Sequence, residues 1–276
     1  MKKKYTGERL ETFIEDEVMI EHLHRYAFVY EFCSNKIVLD IASGEGYGSN
    51  LISGIANKVI GVDISDTAIK DAQKKYNKQN LEFKRGSADN IPCDSEYFDV
   101  VVSFETLEHH DKHEEMMIEV KRVLKPNGVL IISTPDKYFY TDKTGQKNPF
   151  HVKELYKNEF KDLILRYFKN ADFYSQRSLF SSSILPLDKV EAGKDVVEYI
   201  GSYNKIEKTL EYEAPYMIAI ASDRDIVLQP KSHFIDAQLT RKMVLDAIEK
   251  VRGSRSYRIG RVVLKPVSLL KKIFGK

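Results

Sequence analysis

Apolar positions along the chain switch between two periods. From residue 15 to 33, Met19, Leu23, Tyr26, Ala27 and Tyr30 recur at helical spacing, which predicts an amphipathic helix. Short β-branched runs then take over at Ile37–Ile41, Val59–Asp63, Leu81–Phe83, Asp99–Phe104 and Val129–Thr134. Helical patterns separate them, such as Ile69, Ala72 and Tyr76, or His113, Met117, Val120 and Leu124. Near-continuous apolar strands alternating with helices predict a parallel sheet covered on both faces. Pro126-Asn127-Gly128 is expected to stop the helix ahead of the fifth strand.

After Thr134 the alternation changes. A polar and aromatic connection over 135–152 leads to a helix with Tyr156, Phe160, Leu163, Ile164 and Tyr167 on one face. Ala171–Gln176 and Tyr216–Ser222 read as two further strands. The excursion between them is too long for a hairpin loop and is expected to hold helices over an acceptor site. The expected organisation is a helical lid over 1–34, a main domain over 35–225 with an insertion at 181–214, and a C-terminal extension over 226–276.

Charge changes the picture at one end. The net charge is +2, yet residues 250–276 hold nine Lys or Arg and no Asp or Glu, so the rest of the chain is net acidic. An acidic body argues against a nucleic-acid enzyme, whose working face is basic. The tail mixes those cations with Val262, Leu264, Leu269, Leu270 and Phe274, a combination that suits an interfacial helix on anionic lipid, although Pro266 interrupts it. Packing on the body or in a homodimer accounts for the same pattern. Two cysteines, Cys33 and Cys93, make neither a disulfide framework nor a metal knuckle. No run is long enough for a membrane helix, and no apolar segment follows the Lys-rich start as in a secretory signal. A cytoplasmic protein is expected, with peripheral membrane contact through the tail as an option.

The chemistry concentrates at Val38-Leu39-Asp40-Ile41-Ala42-Ser43-Gly44-Glu45-Gly46-Tyr47-Gly48, a strand running through a glycine-rich turn into a helix. Glycines there let the backbone approach a ligand. A dinucleotide turn, Gly-x-Gly-x-x-Gly, would need a third glycine where Ser49 stands. Asp40 before the turn would repel a pyrophosphate but suits an amino acid joined to a sulfonium. Charge therefore favours S-adenosylmethionine. Asp63, closing the next strand, is placed for ribose hydroxyls, Asp89 after the third for an adenine amino group, and Phe104-Glu105 end the fourth.

These blocks resemble class I methyltransferases over about Ile37 to Thr134, including Phe98-Asp99-Val100-Val101-Val102-Ser103-Phe104-Glu105-Thr106-Leu107-Glu108-His109 and Arg122-Val123-Leu124-Lys125-Pro126-Asn127-Gly128. The resemblance implies an α/β, Rossmann-like, seven-stranded and mostly parallel sheet of order 3-2-1-4-5-7-6, its seventh strand antiparallel, with helices on both faces. The cofactor implied is S-adenosylmethionine, held by Asp40, Ala42, Ser43, Gly44, Gly46, Tyr47, Asp63, Ile64, Ala88, Asp89, Phe104, Glu105 and His109. The chain departs from the family where Ala42 replaces the commoner glycine. Gly7-Glu8-Arg9, Glu21-His22-Leu23-His24-Arg25-Tyr26 and Asn148-Pro149-Phe150-His151-Val152-Lys153-Glu154-Leu155 look like bacterial methyltransferases of glycan assembly. That subgroup implies O-methylation of a sugar or sugar-linked phosphate in capsule or lipopolysaccharide synthesis. Arg9, His24, Arg25 and Tyr26 would then form part of a lid over the cofactor, with His24 and Arg25 off the apolar stripe and free to reach ligand.

A sugar hydroxyl needs a positioned base, and histidine is best matched to that task. His110 is the first candidate and His151 the next; His109 and Glu105 are alternatives, and Glu105 equally suits orienting the cofactor. Glu105, Glu108, His109, His110 and Asp111 crowd one turn, but adjacent residues point apart, so no metal is expected. Competing readings are methylation of a small hydrophobic acceptor such as a quinone or polyketide, a non-catalytic cofactor-binding subunit, and a nucleotide dehydrogenase.

Overall fold

The structure, a computed structural model, describes Thr12 and residues 17–179, 199–203, 205–208, 213–227, 229–230, 232–234, 248–254 and 256–257. Two compact units make up the chain, Met1–His233 and Phe234–Lys276. In the second, residues 248–253 are helical. The basic tail beyond Tyr257 and the lid residue Arg9 lie outside the described residues.

The first unit is built on strands β1 (Ile37–Ile41), β2 (Lys58–Asp63), β3 (Leu81–Arg85), β4 (Phe98–Phe104), β5 (Leu124–Pro135) and β6 (Asn170–Gln176). A hairpin of β7 (Tyr199–Ser202) and β8 (Lys205–Lys208) precedes β9 (Tyr216–Ser222). One sheet has the order β3-β2-β1-β4-β5-β9-β6, with β9 antiparallel to β5 and β6. This is the expected order; β9 is the seventh strand of the sheet, and the hairpin is extra. Residues 180–198 and 209–212 of the excursion, where helices are expected, lie outside the described residues.

The helices are α1 (Glu17–Phe28), α2 (Tyr30–Cys33), α3 (Tyr47–Ile52), α4 (Asp66–Lys75), α5 (His113–Val123) and α6 (Lys157–Tyr167). The single helix expected through residue 33 breaks at Val29, and both Val29 and Cys33 are fully buried beside Val38 and Val59. Ser65 caps α4 by accepting from the Ala68 amide at 3.3 Å, and Lys74 and Lys75 close it. Side-chain acceptors and terminal charges of these signs satisfy orphan amides and the helix dipole. α5 ends at Val123, before Pro126-Asn127-Gly128. Strand β5 already begins at Leu124, pairs with Phe98, and shifts register before Val129 meets Val100. The turn residues are thus a bulge within the strand pair rather than the helix stop.

Alternation sorts each strand between two cores. Leu39, Ile41, Ile60 and Val62 pack with Met116, Met117 and Val120, while Val38, Val59, Val100 and Ile131 pack with Tyr26, Val29 and Ile52. No described helix is long and apolar enough to cross a membrane.

Candidate functional site

The carboxyl ends of β1, β2, β4 and β5, with that of β6 and the start of β9, form one edge, where open α/β sheets bind ligands. At the end of β1 the chain turns sharply: Ala42, Gly44 and Gly46 have φ of 56°, 55° and 82°. The Ser43 amide donates to the Val62 carbonyl at 3.0 Å, and the Gly44 amide to Asp63 Oδ2 at 2.9 Å. A side chain on Gly44 would meet nothing within 4 Å, so its backbone borders open space. On Gly46 and Gly48 it would overlap the Phe83 and Tyr26 rings. Those two glycines, Gly46 among the expected ligand contacts, serve close packing.

Asp40 lies beneath the turn, 1% exposed. Its Oδ2 accepts from Ser49 Oγ at 2.6 Å, and the Tyr26 hydroxyl donates to Oδ1 at 3.3 Å. Burial raises its carboxyl to about 7, against the opposing pull of those two hydroxyls. Tyr26 is buried edge-on against Phe104 and Tyr47, and the Tyr47 hydroxyl meets His22 Nδ1 at 2.8 Å. Tyr26 and the Phe104 ring therefore support the site from within the core instead of lining it.

Arg25 departs most from expectation. Far from reaching outward, it is 1% exposed. Its Nε donates to Gln176 Oε1 at 2.7 Å, its guanidinium lies 4.5 Å from the Tyr216 ring centre, and Nη2 is 3.7 Å from Glu105 Oε1. Neither Nη1 nor Nη2 has a hydrogen-bond partner. Glu105 sits at φ 51°, and Ser133 Oγ donates to its Oε1 at 2.6 Å. His24 makes a 2.9 Å contact with Ser232 Oγ through Nε2, so its ring is engaged within the fold.

On the other side of the turn, Asp63 also accepts the Ser65 amide at 2.8 Å, and Ile64 beyond it is 67% exposed. Ala88 is half-buried. Lys112 Nζ at 2.5 Å and Ser87 Oγ donate to Asp89 and hold its carboxyl at about 2. His110 faces this side: its ring stands edge-on to His113 at 5.5 Å, and Asp89 is among its charged neighbours. Both its ring nitrogens are buried without partners, and burial lowers its pKa.

The second histidine candidate meets the first group's neighbours. His151 and His109 rings stand edge-on at 5.3 Å, and Tyr140 stacks on His151 at 5.3 Å. His151 Nδ1 is 2.5 Å from Glu154 Oε1, and its Nε2 lies 3.0 Å from Asn148 Nδ2. Glu108, only 1% exposed, accepts from Thr134 Oγ1 at 3.0 Å. Burial, reinforced by the neighbouring Glu105 carboxylate, pushes the Glu108 carboxyl well up. One ligand atom each from Glu108, His109 and His151 fall within 4.8 Å of one another. The expectation of no metal considered only neighbours in sequence; His151 arrives from the loop before α6.

Gln176, Tyr216, Ser133 and His22 carry this edge and were not singled out from the sequence. Gln176 had a readable signal, since it ends a strand on the ligand-binding edge. A cavity of about 430 Å³ opens beside it, lined by Phe139, Phe160, Phe173, Tyr174 and Tyr216 with Lys157 and Lys161. A larger one, about 540 Å³, lies at the opposite edge among Asp99, Lys125 and Gly128, away from the turn.

Residues 39–132 match the family described as Methyltransferase domain. A Mycolicibacterium smegmatis protein named a probable S-adenosylmethionine-dependent methyltransferase is 32% identical over 162 residues, 58% of this chain and 62% of that protein. A Mycobacterium ulcerans protein named phthiotriol/phenolphthiotriol dimycocerosates methyltransferase is 33% identical over 123 residues, covering 43% of this chain and 45% of that one. The chain thus spans less than two thirds of the length of the curated relatives it matches. The crystal structure of the YcgJ protein from Bacillus subtilis superposes with a TM-score of 0.53 at 17% identity, over 74% of this chain and all of that one. The strand order is that of the Rossmann-like methyltransferase fold, and residues 39–132, which include the open glycine turn, are similar to the methyltransferase-domain family.

Proposed function

We propose that the chain transfers a methyl group from S-adenosylmethionine to a hydroxyl or phosphate oxygen of a sugar-containing acceptor in bacterial surface-glycan synthesis. The observation that carries the donor half is the pair of unpartnered guanidinium nitrogens on buried Arg25 at the ligand-binding edge. A buried donor without a partner costs ~1–3 kcal/mol, more when charged, so a carboxylate ligand fits there. The Ser43 hydroxyl is likewise buried and unpartnered, and Gly44 borders open space. The donor's amino-acid end is assigned to Arg25, Ser43 and Gly44, above Asp40. Its ribose is assigned to Asp63, and its adenine to Ile64, Ala88 and Asp89. The bound donor supplies a methyl group on a sulfonium, and alignment of the acceptor against it gives most of the acceleration.

The aromatic cavity beside Tyr216 suits the acceptor: rings cover a sugar face, and Lys157 and Lys161 suit a phosphate. Its neighbour Tyr140, 5.8 Å from Tyr216 ring to ring, stacks on His151. The acceptor's proton is assigned to the cluster of Glu108, His109 and His151, with His151 Nε2 as the basic nitrogen while Glu154 holds Nδ1. The base is thereby assigned to His151 in preference to His110, which has Asp89 among its charged neighbours. A lipid-borne hydroxyl is the second reading, favoured by the name of the M. ulcerans relative and by the same aromatic lining. The basic tail then serves as a membrane contact near a lipid-linked acceptor.

Calorimetry with S-adenosylhomocysteine tests the donor half. Transfer of label from S-adenosylmethionine to a panel of nucleotide sugars, lipid-linked sugars and lipid diols tests the acceptor. Labelling of the diols alone would overturn the sugar reading.

A further inference from the structure

We infer that Glu108, His109 and His151 form a binding site for a divalent first-row metal ion, which would take its remaining ligands from acceptor oxygens. The three residues offer two imidazoles and one carboxylate, with one ligand atom each mutually within 4.8 Å. Two histidines and a carboxylate with open positions are a recurring donor set for such ions.

A second observation, independent of proximity, is how the imidazoles are held. His109 Nδ1 lies 3.0 Å from the Phe150 carbonyl, and His151 Nδ1 lies 2.5 Å from Glu154 Oε1. In each ring the Nδ1 proton is directed at an oxygen, which leaves Nε2 as the basic nitrogen. Metal-bound histidines are oriented in this way, by a carbonyl or carboxylate behind the ring. His109 Nε2 already stands 3.9 Å from Glu108 Oε1.

The backbone holds the parts in register. The Val152 and Lys153 amides donate to the Glu108 carbonyl at 2.8 and 3.1 Å, tying the His151 loop to the turn after β4. Glu105 adds a second carboxylate to the surroundings of Glu108. Arg25 is the cation facing this pair, with Thr134 bonded to Glu108 and Lys153 in the same loop. A metal ion compensates the negative charge and displaces the Asn148 amide from His151 Nε2. An ion bound there would make His151 Nε2 a ligand instead of the acceptor's base, and the coordinated hydroxyl, its pKa lowered by the ion, would release its proton to solvent. The inference rests on the proposed reading only for the identity of the acceptor oxygen.

The test strips the full chain with a chelator and titrates it with Mn²⁺, reading free ion by electron paramagnetic resonance. One Mn²⁺ per chain is expected, with affinity reduced about tenfold or more in His109→Gln and in His151→Gln. In the unmutated chain, Mn²⁺ should broaden the ring signals of His109 and His151 before those of His22, His24 and His233. No binding at millimolar Mn²⁺, unchanged affinity in both variants, or first broadening at other histidines would overturn the site. S-adenosylhomocysteine binding is measured on the same samples. Its loss with Mn²⁺ binding intact strikes the methyltransferase reading alone, and the converse strikes the metal site alone.

Discussion

Arg25 and Glu105 face each other at 3.7 Å, one on the first helix and one just past the fourth strand, and the guanidinium has no hydrogen-bond partner at either terminal nitrogen. Buried charges persist when they are paired and saturated with hydrogen bonds. This one is paired but not saturated, and the donor carboxylate proposed above would complete it.

Arg25→Lys keeps the charge but loses the planar fork that grips a carboxylate at two points. Affinity for S-adenosylhomocysteine is expected to fall at least about tenfold, equivalent to about 1.4 kcal/mol. Calorimetry checks this, and an unchanged dissociation constant would remove Arg25 from the donor site.

Asp40 makes stability depend on pH. Its carboxyl rises from 3.8 to about 7 on folding, because burial disfavours the anion. The folded chain therefore holds this proton more tightly than the unfolded chain. Its contribution to stability is complete below about 4 and is lost as pH rises through about 7, a tenfold difference in proton affinity being worth about 1.4 kcal/mol. Asp40→Asn removes that loss, so the melting temperature of the variant relative to the parent should climb between pH 4 and 8. A difference that stays flat over this range contradicts the burial argument.

The two histidine candidates separate by turnover. His151→Ala is expected to lower kcat by ~10²–10⁴, the usual worth of a group that handles the acceptor's proton. His110→Ala should change kcat by less than about threefold, since a factor of that size is under 1 kcal/mol. Initial rates at saturating donor decide between them, and the reverse ranking would move the chemistry to the Asp89 side.

Ala42 occupies a backbone conformation, φ 56°, that glycine adopts without strain. For an L residue the left-handed region costs ~1–2 kcal/mol, while glycine gives back ~0.4–1 kcal/mol in the unfolded chain. Ala42→Gly is expected to stabilise the fold by up to about 1 kcal/mol in denaturant melts. Destabilisation would show that the methyl group makes contacts that outweigh its strain.

What the chain's pattern settles by itself is local. Strand runs, glycine spacing and the acids at strand ends specify the alternating layers and the edge to which the donor is assigned, because each depends on residues close in sequence. The antiparallel seventh strand and the sheet order came from likeness to known proteins and match the observed pairing. Tertiary structure alone decided that Arg25, off the apolar stripe of its helix, is buried, since Gln176 and Tyr216 on strands far along the chain, and Glu105 just past another, come to receive it. It also brought His151 beside Glu108 and His109 through backbone bonds between two loops. Periodicity reports which face of a helix is apolar. It carries no information about which polar groups a distant segment will deliver to the opposite face, and on that the chemistry of this site depends.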